Sequence, residues 1–284
     1  MKLSKIFALL LALCLISSAA CAATFTDAHG NVIELDDSLE AYAAVTLVGA
    51  DNAARQGETN LGDLWADALR WFAVSGEINA AFDEDDVKAG NDRIAVDADH
   101  VVALWNGGNL RADIAEGTFG AEALAEVLPF PNKVAVVYMT GAQLLETLEA
   151  ASQGLPYTAE TADACASLMQ VSGLTYTVDT AKAYDALEAY GDHWFTAGSV
   201  SRVRIDDVNG QPFDAEATYA VVTSNANFNG MDSSYVLKAA AEANEQSAVT
   251  TAVVRDVVFR FIAAELNHQI GETYAAPQGR LTVL

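Results

Sequence analysis

Val101-Val102-Ala103-Leu104-Trp105-Asn106-Gly107-Gly108-Asn109-Leu110-Arg111 is the stretch on which the reading of this chain turns. Five apolar residues ended by Asn-Gly-Gly read as a buried strand that delivers the chain into a glycine turn. Two glycines let backbone amides come close to a ligand, and an arginine just beyond supplies a planar cationic fork suited to phosphate or ribose hydroxyls. Taken alone, the same residues also describe a strand-to-loop corner with a solvated arginine.

Upstream, Glu58-Thr59-Asn60-Leu61-Gly62-Asp63-Leu64 opens a helix. Leu61, Leu64, Trp65, Ala68, Leu69 and Phe72 keep a 3.6-residue period over 60–72, with Thr59 or Asn60 as N-cap. Downstream, the pattern predicts a short helix at 120–127, a strand at 134–139, and a helix at 141–152 with Leu144, Leu145 and Leu148 inward. Strands follow at 168–178 and 199–208, and Asn209-Gly210 predicts a tight hairpin turn into a strand at 219–223. Val253, Val257, Val258, Phe261 and Ile262 predict a helix over 249–266, and 279–284 a closing strand. The connections 154–166 and 184–197 read as surface insertions. Helices alternate with strands, yet tight turns join several strands, so the fold class is a mixed α/β (α+β) layered sandwich: mixed β-sheets covered by helices, not a doubly wound parallel sheet.

Ahead of this domain, placed at 51–284, residues 24–50 read as a strand extension. It comprises a hairpin of 24–27 with 32–35 around Gly30-Asn31, then a strand at 44–48. Residues 1–23 read as a signal peptide, with Lys2 and Lys5, an apolar run at 6–16 and small residues at 17–23. This predicts a secreted protein, extracellular or periplasmic. Ala20-Cys21-Ala22 offers a cleavage pattern; Cys21 also admits a lipid anchor, although Ser18 stands where that signal wants an aliphatic residue. No later stretch approaches the ~20 apolar residues of a transmembrane helix.

The net charge is −24, from 15 basic and 39 acidic residues; without Lys2 and Lys5 the balance is 13 against 39, or −26. Such a field excludes nucleic acid and anionic membranes as partners, but a local arginine can reverse it inside one cleft. Of the three cysteines only Cys165 lies beyond the signal, so no intramolecular disulfide is expected and the core must supply stability.

Together the Glu58 and Asn106 segments, with Val127-Leu128-Pro129-Phe130-Pro131-Asn132, Val171-Ser172-Gly173-Leu174-Thr175-Tyr176 and the closing Gly279-Arg280-Leu281-Thr282-Val283, resemble the C-terminal, substrate-binding domain of the secreted 5′-nucleotidases. The resemblance spans residues 58–284. It implies binding of a nucleoside or nucleotide, with Asn106, Gly107, Gly108 and Arg111 on the nucleoside and phosphate side and Asp232 receiving ribose hydroxyls. The family sandwiches the base between two aromatic rings, and Phe130 matches the first; by itself Phe130 also reads as ordinary core. The loop that carries the second ring departs from the family pattern. Ser224-Asn225-Ala226-Asn227-Phe228-Asn229-Gly230-Met231-Asp232-Ser233 keeps Asn225 and Asp232 but sets Ala226 in the ring's place, with Phe228 two residues on. On an extended segment Phe228 would point the same way and reach the base. A family Gly-Gly-Asp-Gly has become Gly230-Met231-Asp232-Ser233, which removes glycine's freedom of φ. A working clamp and a remodelled or lost one both remain open. The family's cationic position before Glu58 is Gly57 here, with Arg55 nearby.

In that family the catalytic groups and two divalent metals belong to a separate N-terminal metallophosphatase domain. No match to its ligand segments is found: Asp27-Ala28-His29 echoes one and reads as a hairpin-turn coincidence, while His100, His193 and His268 are scattered. No Gly-x-Ser-x-Gly elbow is present, and Cys165 has no partnered histidine in the pattern. The reading is therefore a binding domain with no catalytic residues, metal site or cofactor of its own. The alternatives are a subunit of a split nucleotidase completed by a metallophosphatase chain, or a surface protein that has lost the ligand. Weak similarity of 24–50 to periplasmic binding proteins adds a solute-binding role.

Overall fold

The structure, a computed structural model, describes residues 23–26, 32–35, 40–82, 94, 96–190 and 193–284. It divides into two compact units, Met1–Ser38 and Leu39–Leu284. In the first, β1 (Ala23–Thr26) and β2 (Val32–Leu35) pair antiparallel, with Thr26 opposite Val32, as the alternating pattern predicts. The turn expected at Gly30-Asn31, the Asp27-Ala28-His29 stretch and residues 1–22 lie outside the described residues.

The second unit opens with β3 (Glu40–Ala43), a single helical turn α1 (Ala53–Gln56), and α2 (Asn60–Val74). The strand expected at 44–48 lies earlier, at β3; of the expected residues Leu47 makes one bridge, to Ile114. Thr59 caps α2 by accepting from the Gly62 amide at 3.0 Å, and the whole predicted stripe is buried. Then come β4 (Val101–Asn106), β5 (Gly117–Gly120), α3 (Ala121–Val127), β6 (Lys133–Thr140) and α4 (Gly141–Ala151), the last started by a capping box of Thr140 and Gln143.

The strand expected over 168–178 is two, β7 (Met169–Ser172) and β8 (Leu174–Val178), in different sheets. Gly173 breaks it at φ +81°, where a Cβ would meet Arg70 Nε at 2.7 Å and the Val101 carbonyl at 2.8 Å. The insertion at 184–197 forms a hairpin of β9 (Ala186–Tyr190) and β10 (Trp194–Ala197). After β11 (Val203–Val208) the Asn209-Gly210 turn forms with φ of 51° and 75°, but it closes only the Val208–Gln211 bridge. The following strand, β12 (Thr218–Ser224), joins another sheet. The chain ends through α5 (Asn225–Phe228), α6 (Tyr235–Ala243), β13 (Ala248–Val253), α7 (Val254–Ala264), β14 (Gln269–Ile270) and β15 (Leu281–Val283). The helix expected from 249 thus starts at Val254. Val249, Thr250 and Thr251 are β-branched; Val249 pairs with Ala135 of β6, and beyond it the register is broken, with Thr250 Oγ1 donating to the Val134 carbonyl at 2.9 Å.

A five-stranded mixed sheet, β13-β6-β12-β4-β7, separates two apolar cores. On β4, Val101, Ala103 and Trp105 face one core and Val102 and Leu104 the other; β6 and β12 divide in the same way. Burial on both faces is why these strands read as continuous apolar runs. The first core is covered by α2, α3, α7 and the sheet β14-β3-β5; the second by α4, α6 and the sheet β11-β8-β15. The layered mixed architecture expected from the sequence is the one observed. No helix among the described residues is long and apolar enough to cross a membrane.

Carboxylates at the start of α2 fasten the end of the chain. Glu58 accepts from the amides of Gln278 and Leu281 at 2.9 and 3.0 Å, and Asp67 from Arg280 Nη2 at 2.7 Å and Tyr274 Oη at 2.9 Å. Asp63 is fully buried; its Oδ2 takes the Gln278 amide at 3.0 Å, while Oδ1 has no hydrogen-bond partner and lies 3.8 Å from Arg280 Nε. Burial pushes the Asp63 carboxyl up to about 8 against the pull of Arg280, and Glu58 adds to the push by its charge and a hydrogen bond. Below 3.8 the group is protonated whether the chain is folded or not. Between there and about 8 the unfolded chain releases the proton that the folded one keeps. Stability therefore falls as pH rises through that window, by at most about 1.4 kcal/mol per pH unit, and levels above it. Urea midpoints measured across the window should decline more steeply for the wild type than for Asp63→Asn; equal slopes would refute this account.

Candidate functional site

The site follows from one strand pairing. β12 runs parallel to β4 with Ala220 opposite Val101 and Val222 opposite Ala103, so both strands end at the same edge of the sheet. That edge, at the carboxyl ends of parallel strands, is where open α/β sheets receive ligands. From β4 the chain enters a turn at Gly107–Asn109; from β12 it enters α5, capped by Ser224 accepting from the Asn227 amide at 3.1 Å.

Asn106 is fully buried at the end of β4, where its Nδ2 donates to Asp232 Oδ2 at 2.9 Å and its Oδ1 accepts from Asn109 Nδ2 at 2.8 Å. Asp232 sits in a left-handed conformation, φ 48°. Burial pushes its carboxyl above the usual range, and the charges of Arg55 and Arg111 pull it back. Arg111 folds its Nε onto the Gly108 carbonyl at 2.5 Å, and its guanidinium lies 5.5 Å from the centre of the Phe130 ring. Phe130 is 43% exposed and belongs to neither core, which removes the core reading of this ring. Asn225 Oδ1 accepts from the Lys133 amide at 2.9 Å and so ties α5 to the segment that carries Phe130. Asn106, Arg111, Phe130, Asn225 and Asp232 thus converge.

Three sequence expectations change here. Residues 225–228 are helical, so Ala226 and Phe228 do not share a direction; Phe228 turns inward and packs against the second core. The two glycines lie against protein: a Cβ on Gly107 would meet the Ala54 carbonyl oxygen at 2.0 Å, and one on Gly108 the Ala166 Cβ at 2.6 Å. The Gly107 amide itself donates to the Leu168 carbonyl at 2.7 Å. The 154–166 connection is a wall of the site as well as surface, since it brings Ala166 to Gly108 and the Ala162 carbonyl to Arg55 Nη1 at 2.9 Å, and buries Cys165.

The sequence reading missed the backbone amide of Lys133, which holds Asn225 and has no signal in residue type. Neither Lys133 nor Arg111 forms an ion pair among the described residues. No cluster of three or more His, Cys, Asp or Glu able to hold a metal ion stands among them either. Two cavities of about 540 Å³ lie elsewhere, one between α3 and α7 near Leu124, Arg255 and Phe259, the other beside the start of α2 near Val48, Glu58 and Pro277. Neither is lined by the converging residues.

Known proteins resemble this chain in sequence and fold. The family profile described as 5′-nucleotidase, C-terminal domain, matches residues 40–239. A 5′-nucleotidase precursor from Thermus thermophilus is 28% identical with a TM-score of 0.62, over 86% of this chain and 39% of that structure. The NAD nucleotidase of Haemophilus influenzae shares the fold at 15% identity and a TM-score of 0.57, over 86% of this chain and 38% of its own. The trifunctional nucleotide phosphoesterase protein of Bacillus subtilis (strain 168) is 28% identical over 188 residues, 65% of this chain and 10% of that protein. The chain therefore spans a minor part of the length of each relative.

The packing of Gly107 against Ala54 can be tested without any ligand. Gly107→Ala should lower the unfolding free energy in urea by about 1–3 kcal/mol, the usual cost of overpacking a filled contact. An unchanged midpoint would show that the loop yields freely and that the glycine serves no packing role.

Proposed function

The chain belongs to the 5′-nucleotidase C-terminal domain family, and from that premise we propose that the face around Asn106, Arg111, Phe130 and Asp232 binds a nucleoside or nucleotide. One observation carries the reading. In a chain of net charge −24, an arginine without an ion pair among the described residues lies against a half-exposed aromatic ring beside a part-buried Asn–Asp hydrogen bond. Phe130 offers a stacking surface for a base, and Asp232, held by Asn106, offers an acceptor to ribose hydroxyls. Arg111 would meet phosphate, with Arg55 adding to the field that attracts it. The glycine turn shapes this face by letting the loops 53–57 and 164–167 close on it. Export on the signal at residues 1–23, with or without lipid at Cys21, is part of the same proposal.

A second reading is favoured by the exposure of this face at Phe130, which is 43% exposed. Such a surface suits half of a cleft that a metallophosphatase domain or chain completes, with hydrolysis supplied from that side. A protein that has lost its ligand is the remaining reading, supported by Ala226 and by Met231, which is 58% exposed.

Calorimetric titration with adenosine, AMP and a sugar nucleotide, with and without manganese, decides among them. Saturable binding is expected, weakened roughly ten- to a hundredfold in Phe130→Ala, as loss of one base stack implies. Arg111→Ala should erase the preference for AMP over adenosine. Absence of heat with every ligand from a folded sample would sink the binding reading.

A further inference from the structure

The loop that presents Asp232 holds an unusual backbone: Gly230, Asp232 and Ser233 all take positive φ, of 87°, 48° and 60°. The last two carry side chains and occupy that region at a cost, so neighbouring structure must hold them there. The β9–β10 hairpin grips the loop at three points that bracket Asp232. At its near end Tyr190 Oη donates to the Gly230 carbonyl at 3.1 Å, and the Tyr190 ring stands edge-on to Tyr235 at 5.7 Å. In the middle, Gln153 accepts from the Phe195 amide at 3.0 Å and passes its own Nε2 to Ser233 Oγ at 2.5 Å, while Ser233 Oγ donates to the Ala150 carbonyl. At the far end the Ala197 amide donates to Tyr235 Oη at 3.0 Å, and that hydroxyl donates to Glu146 at 2.7 Å.

We propose that this hairpin braces the loop that receives the ribose, with Tyr190 the positioning residue that sets Asp232 toward Asn106 and the ligand. The inference rests on the nucleoside-binding reading and adds to it a segment that the sequence describes only as an insertion. Tyr190 stands within the field of the site. Burial is the main reason its hydroxyl is pushed up to about 12, the Tyr235 backbone lowers it, and the charge of Asp232 raises it further. Tyr190 needs no contact with ligand; it acts through Gly230 and the backbone that follows.

The test compares adenosine with 2′,3′-dideoxyadenosine, which lacks the hydroxyls that Asp232 would receive. Wild-type protein should bind adenosine more tightly. Tyr190→Phe should weaken adenosine about fivefold, the factor that one net hydrogen bond carries, and leave dideoxyadenosine unchanged. Gln153→Ala should move the ratio in the same direction, and it carries the comparison if Tyr190→Phe does not fold. A ratio that stays at the wild-type value, whether both affinities hold or fall together, overturns the bracing role while the nucleoside reading survives. Failure of the wild type to bind either nucleoside overturns both.

Discussion

The parallel pairing of β4 with β12 is the constraint on which the site depends. It sends two loops off the same edge of the sheet, so Asn106 on one and Asp232 on the other can meet at 2.9 Å across 126 residues of sequence. Magnitudes show which interaction leads. A hydrogen bond to a carboxylate contributes roughly 1.5–3 kcal/mol net. Each large apolar side chain that β4, β12 and α2 bury contributes a similar roughly 1.5–3 kcal/mol, and Trp65, Trp105, Leu104, Leu64 and Phe72 are all fully buried. The core therefore places the strand ends, and the polar pair then fixes the loops that leave them.

Charge is distributed by the same division. Where acids serve structure, as with the buried Asp63 and the half-buried Asp67, the chain sets Arg280 beside them. At the open edge the order reverses, and Arg111 stands without an ion pair among the described residues while Asp232 accepts from Asn106. In a protein of net charge −24 that local reversal is what makes an anionic ligand admissible at all.

Much of this was legible in the residues. The stripe of α2, its Thr59 cap, the buried run of β4 and the glycine turn after it each have one strong local cause, and tertiary packing only had to agree with it. The failures share a different cause, in that the deciding partner is distant in sequence. Gly173 divides β7 from β8 because Arg70 and Val101 press on it, and Asn209-Gly210 makes its turn but cannot choose which sheet the next strand joins. β13 pairs with β6 although its valines also fit a helical period, and Phe228 turns inward because Ser224 caps a helical turn there. Within the candidate site, Phe130 and Asp232 were named by the family resemblance, whereas the packing of Gly107 and Gly108 on Ala54 and Ala166 required the loops to be in place.

The loop at 230–233 joins these threads. Where the related 5′-nucleotidase pattern has glycines around the aspartate, this chain has Met231 and Ser233, yet Ser233 still takes the left-handed conformation that glycine would adopt freely. For a residue with a Cβ that conformation costs roughly 1–2 kcal/mol. Two hydrogen bonds to Ser233 Oγ, each of about 1 kcal/mol net, offset the cost only because the side chain is buried between α4 and the loop. Gln153, which makes one of them, is itself held by the backbone of β10. The left-handed serine and the hairpin are thus joined through one run of hydrogen bonds, from the Phe195 amide through Gln153 to Ser233 Oγ, beside the contact of Asp232 with Asn106.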